Sequence, residues 1–80
     1  MARNQKRKNE VILVLSSDFY NIDSIKEAIN DFKGVCNANL SKNKKSIMIS
    51  LKPKDRSLFN NLGYEFCNYT LALMKNKSLI

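Results

Sequence analysis

An 80-residue chain has room for one small domain. A domain of this size buries only about 60% of the surface that its unfolded form exposes, so its margin of stability is thin. There is no histidine and there are two cysteines, Cys36 and Cys67, which excludes Ser-His or Cys-His catalysis, a zinc ligand set and a disulfide scaffold. Fourteen basic against seven acidic side chains give a net charge of +7. That balance suits an acidic partner, and extra stability is expected from a partner or a second copy.

The chain opens with "MARNQKRKN", residues 1–9, which have no hydrophobic periodicity and carry Arg3, Lys6, Arg7 and Lys8 without an acid. This stretch reads as a disordered basic tail ahead of a single domain over residues 10–77. "EVILVLSS" follows, with an unbroken apolar run from Val11 to Leu15. Its length and β-branched content predict a strand, and the absence of alternation predicts cover on both faces. The run is too short for a signal peptide or a membrane span, so a cytoplasmic, membrane-free protein with reduced thiols is expected.

In "NIDSIKEAINDFKG", Ile22, Ile25, Ala28, Ile29 and Phe32 recur at three- and four-residue spacing and predict a helix. Asn21 is one candidate N-cap and Ser24 with Glu27 an alternative capping box one turn later, and Gly34 is placed to end the helix in a left-handed turn. "VCNANL" and "SIMISLKP" alternate, with Cys36, Ala38 and Leu40 on one face and Ile47, Ile49 and Leu51 on the other strand's matching face. They read as a hairpin around "SKNKK", where Asn43 is the residue best suited to a positive φ. Pro53 closes the hairpin. Asp55 or Ser57 then caps a final helix whose stripe is Leu58, Leu62, Phe66, Tyr69 and Leu73, widened by Phe59, Cys67, Leu71 and Met74.

The expected fold class is therefore α+β in the order β-α-β-β-α. It is a three-stranded sheet with the hairpin's second strand in the middle and two helices on one face, like a truncated ferredoxin-like fold. Two features stay unsatisfied in that arrangement. Val11–Leu15 keeps an open strand edge, and Ile12 and Val14 face away from the helices. Open apolar edges are where another chain pairs.

No catalytic constellation emerges. The glycines, Gly34 and Gly63, are isolated, and the carboxylates Asp18, Asp23, Glu27 and Asp31 read as a solvated face. No catalytic, metal-binding or cofactor-binding residue is assigned, and the chain is read as a non-enzyme without a cofactor. In the last helix Phe59 and Phe66 read as core. Tyr64, Asn68 and Tyr69 lie off or at the margin of the stripe and are candidates for an outward contact. With Val11, Ile12, Leu13, Val14 and Leu15 they form the expected partner-binding set.

"FYNIDSIKEAINDF", the "IMISLKPK" strand and "LGYEFCNYTLALMK" resemble the small D protein of the His-Xaa-Ser systems, the HxsD-like family. The matching residues are Tyr20, Ile22, Ile25, Ala28, Phe32, Leu51, Pro53, Phe66, Asn68 and Leu71, and the likeness spans about residues 11–75. An acidic residue and a terminal Leu-Arg usually follow the asparagine motif of that family, whereas this chain reads "TLALMKNK". The resemblance implies a non-catalytic accessory protein encoded beside radical S-adenosylmethionine (radical SAM) enzymes that modify ribosomally made peptides. It would bind a precursor peptide, the radical SAM enzyme or both. The iron–sulfur chemistry would then belong to the partner, since two cysteines cannot hold a cluster. A homodimer is also expected from the open edge. The competing readings are a small nucleic-acid-binding domain using the tail and "SKNKK", and a structural subunit of another complex.

Overall fold

The computed structural model of the chain describes residues 2–7 and 10–78, the first stretch and the last two positions by backbone alone. The element order is β1 (Ala2–Arg7), β2 (Glu10–Ser16), α1 (Ile22–Asp31), β3 (Cys36–Lys42), β4 (Ser46–Pro53), a 3₁₀ turn (Arg56–Leu58) and α2 (Leu62–Ser78). The fold is α+β, and the β2-α1-β3-β4-α2 frame is the expected β-α-β-β-α order. Its three strands lie as expected, with β4 between β2 and β3.

The sheet nevertheless has four strands, in the order β1-β2-β4-β3, with every neighbouring pair antiparallel. Residues 2–7, expected to be disordered, form β1 and pair along β2 from Ala2↔Leu15 to Arg7↔Glu10. Hydrophobicity was the wrong signal for this strand. Its sequence, Ala-Arg-Asn-Gln-Lys-Arg, has almost no apolar surface to bury, and it is held by a ladder to the most apolar strand in the chain. Met1, Lys8 and Asn9, also assigned to the tail, lie outside the described residues.

Side chains alternate across the sheet. Val11, Leu13 and Leu15 of β2 join Ile47, Ile49 and Leu51 of β4 and Cys36 of β3 on one face. Ile25 and Ala28 of α1 and Leu62 and Phe66 of α2 pack onto that face, so both helices cover the same side. Burying side chains of this size contributes about 1.5–3 kcal/mol each, which is why one well-filled layer can hold so small a domain. Phe32 meets Phe66 edge-to-face with centroids 5.2 Å apart, and Tyr69 meets Phe32 at 5.3 Å, which ties the C-terminal end of α1 to the middle of α2.

Asn21 caps α1 as expected: its side chain accepts from the Asp23 amide at 2.8 Å and the Ser24 amide at 3.2 Å. The other end differs from expectation. No described residue has a positive φ, so Gly34 makes no left-handed cap and Asn43 no left-handed turn. α1 ends instead at Phe32, whose carbonyl accepts from Val35 N and Cys36 N, both at 3.0 Å. The β3–β4 turn is closed by Asn43 N donating to Ser46 O at 2.8 Å.

Asp55 caps the 3₁₀ turn, not α2; its carboxylate accepts from Ser57 N at 3.0 Å, and this bond holds its pKa below the usual carboxylate value. α2 therefore starts at Leu62, and Leu58 stays in the 3₁₀ turn. The inward stripe of α2 is Leu62, Phe66, Thr70, Leu73 and Met74. Thr70 is wholly buried, where the sequence pattern placed no polar residue. Its hydroxyl donates to the Phe66 carbonyl at 2.9 Å, which satisfies it without a tertiary partner.

Candidate partner-binding surfaces

The expected contact set does not converge. Val11, Leu13 and Leu15 are fully buried in the core. The backbone of Val11–Leu15, expected to offer an open edge, is paired on both sides, to β1 and to β4. That edge is occupied, because the N-terminal segment returns antiparallel along it. Ile12 and Val14 do face away from the helices, beside Met48 and Ser50 of β4. Ile12 is largely shielded from water, Val14 half so, and Met48 is 43% exposed. Ser50 Oγ on this face donates to Glu10 Oε2 at 2.5 Å, a side-chain tie between β4 and β2.

Tyr64 and Asn68 are one helical turn apart on the outer side of α2, and Tyr64 is 68% exposed. Leu71, 45% exposed, continues the same strip. Tyr69 points elsewhere. Its ring lies against Phe32 and its hydroxyl donates to Asp31 Oδ2 at 2.5 Å. That bond, followed by desolvation and the nearby Asp31 and Glu27 charges, raises the Tyr69 pKa. Tyr69 is therefore a brace between the helices, while Tyr64 is free for a contact.

Burial pushes both thiols up from their ordinary pKa, Cys67 without any opposing charge and Cys36 despite Lys54. Raised thiols are poor nucleophiles. Among the described residues no group of three or more His, Cys, Asp or Glu stands close enough to hold a metal ion, and no helix is long and apolar enough to cross a membrane.

Two surfaces escape a reading of the sequence. The first is at the end of the sheet where β2 leaves for α1. Phe19, in the β2–α1 loop, is 67% exposed. That loop is bonded to the β3–β4 turn through Ser17 N and Lys45 O at 3.1 Å, and Lys42, Lys44 and Lys45 are all exposed there. A solvent-facing aromatic is thus mounted on the loop tied to a cluster of cations. Phe19 belongs to neither the strand pattern nor the helix pattern, and that is the one signal the sequence held. The second is the outer edge of β3, the sheet's end strand opposite β1.

No family model, curated protein or solved structure matches the chain.

Proposed function

We propose that this chain is a non-catalytic accessory protein that binds an acidic, extended segment of a ribosomally made precursor peptide and presents it to a radical SAM enzyme. The likeness to the His-Xaa-Ser system D proteins supplies the biosynthetic setting. The single observation that supports binding is the exposed Phe19 on a loop bonded to the Lys42–Lys45 turn. Phe19 lies outside the core, so its ring is available to an apolar side chain of a ligand. The lysines suit flanking carboxylates, and an extended peptide pays less for ordering if it is already held at both ends.

The same cations and ring also suit a nucleotide strand, with phosphates on the lysines and a base on Phe19. Titration calorimetry separates the two. The full chain is titrated with a synthetic acidic, extended peptide bearing an apolar side chain, standing in for a leader, and with a single-stranded oligonucleotide of equal charge, at physiological salt. Binding of the peptide that weakens in both Phe19→Ala and Lys44→Glu/Lys45→Glu supports the reading. Tighter binding of the oligonucleotide, or peptide binding indifferent to both changes, overturns it.

A further inference from the structure

The two ends of the sheet are protected differently. β1 carries Arg3, Lys6 and Arg7 among its six residues, a charge density that discourages pairing. β3 carries no charge from Cys36 to Ser41, no proline and no break in its register with β4. Natural sheets guard a free edge with one of those devices. β3 has none over six consecutive residues.

The backbone phase of that edge follows from two bonds that bracket the ladder. Asn43 N donates to Ser46 O and Lys54 N to Val35 O, both on the same register as the β3–β4 pairs. Hydrogen-bonded pairs alternate in an antiparallel ladder. Asn37, Asn39 and Ser41 therefore direct their backbone groups to β4, and Cys36, Ala38, Leu40 and Lys42 direct theirs outward. Cys36 N is already used by Phe32 O at 3.0 Å. The open donors and acceptors at the centre of the edge are those of Ala38 and Leu40.

We infer that this edge pairs with the same edge of a second copy, antiparallel, about a two-fold axis at Asn39. Ala38 then lies opposite the partner's Leu40, and Leu40 opposite the partner's Ala38. Each of these residues both donates and accepts, so the outward groups of one copy meet the outward groups of the other. The side chains match as well. A small and a large apolar residue meet on the helix-covered face, where Ala38 and Leu40 are already half-buried. Asn37 meets the partner's Ser41 on the open face, and Asn39 meets the partner's Asn39. Moving the axis to Ala38 calls on the Cys36 amide, which is taken. Moving it to Leu40 sets Lys42 opposite the partner's Ala38 on both sides and desolvates two charges. The axis at Asn39 keeps both groups out of the central pairs: Cys36 and the partner's Lys42 fall opposite each other only at the two ends of the ladder, where the lysine stays in water. A pairing this short falls below the roughly 1,200 Å² of a stable interface, so the dimer is reversible. Each copy has a net charge of +7, so salt strengthens it by screening. An acidic ligand at the Phe19 end responds to salt in the opposite sense, which keeps this inference independent of the proposed function.

The test combines sedimentation equilibrium of the full chain at low and high salt with single-cysteine cross-linking. Dimerisation that rises with salt is expected. Ala38→Pro removes an outward N–H and no bond to β4, so it should abolish the dimer and leave the circular dichroism spectrum unchanged. Under mild oxidation Asn39→Cys should cross-link at least about tenfold faster than Asn37→Cys, because only position 39 meets itself across the axis. The parent chain, with buried Cys36 and half-buried Cys67, is the background control. A parent that stays monomeric to millimolar concentration at both salts overturns the inference. So does equal cross-linking at positions 37 and 39, even if Ala38→Pro does not fold. A monomer that takes up an added peptide along β3 gives the edge to a foreign strand and also overturns self-pairing.

Discussion

The strand β1 admits a test in which two neighbouring, chemically similar residues should behave oppositely. Ser17 N donates to Lys45 O on the same register as the β2–β4 pairs, so Val11, Leu13 and Leu15 bond to β4. Ile12 and Val14 then bond to β1. Gln5 is the register partner of Ile12 and Asn4 of Leu13, so the Gln5 amide faces β2 and the Asn4 amide faces away. Gln5→Pro deletes a ladder bond and leaves the Ile12 carbonyl without its donor, whereas Asn4→Pro deletes none. One backbone bond contributes about 0.5–1.5 kcal/mol net. In a domain of this length each kcal/mol moves the midpoint by about 4–8 °C, so Gln5→Pro should lower Tm by about 2–12 °C. Asn4→Pro should leave it nearly unchanged. Thermal melting by circular dichroism reads the global effect, and amide hydrogen exchange at Ile12 and Val14 reads the local one. Exchange there should quicken in Gln5→Pro only. Equal effects of the two prolines, or a larger one at Asn4, would refute the ladder phase and with it the placement of β1.

Phe66 is wholly buried and edge-on to Phe32, so Phe66→Ala should cost about 3–5 kcal/mol in urea unfolding, much of the stability of an 80-residue domain. Gly34 has no positive φ, and an added Cβ would meet nothing within 4 Å, so Gly34→Ala should raise stability by roughly 0.4–1 kcal/mol in the same assay. The pKa values of Cys36, Cys67, Tyr20 and Tyr69 are all raised, the first three chiefly by burial and Tyr69 chiefly by its bond to Asp31. The folded state thus retains protons that the unfolded state loses. Stability should be undiminished below the ordinary thiol value and fall progressively above about pH 8.5 for the thiols and about pH 10 for the phenols. Urea titrations across that range should show the decline, and Tyr69→Phe should flatten its upper part.

The β2-α1-β3-β4-α2 frame was legible in the sequence because each of its elements signals through its apolar residues, β2 as an unbroken run and the others through periodicity. Ile25 and Ala28 repeat with a helical period, Ile47, Ile49 and Leu51 with a strand period, and Asn21 is a strong cap. The placement of β4 between β2 and β3 followed from short connections and one shared apolar face. Periodicity says nothing about a segment that contributes hydrogen bonds and little apolar surface. β1 is such a segment, so the tail looked disordered and the β2 edge looked open. Only the antiparallel return of residues 2–7 decided otherwise, and it moved the free apolar edge from β2 to β3. Local signals also misled where other short-range bonds took their place. Phe32 O takes the amides that a left-handed Gly34 would have served, and Thr70 is buried because its own helix accepts its hydroxyl. Tyr64 and Tyr69 were both candidates for an outward contact in the sequence, Tyr64 off the apolar stripe and Tyr69 at its margin. The approach of α1 alone makes one a brace to Asp31 and leaves the other in water, because a side chain's partner is set by what the fold brings beside it.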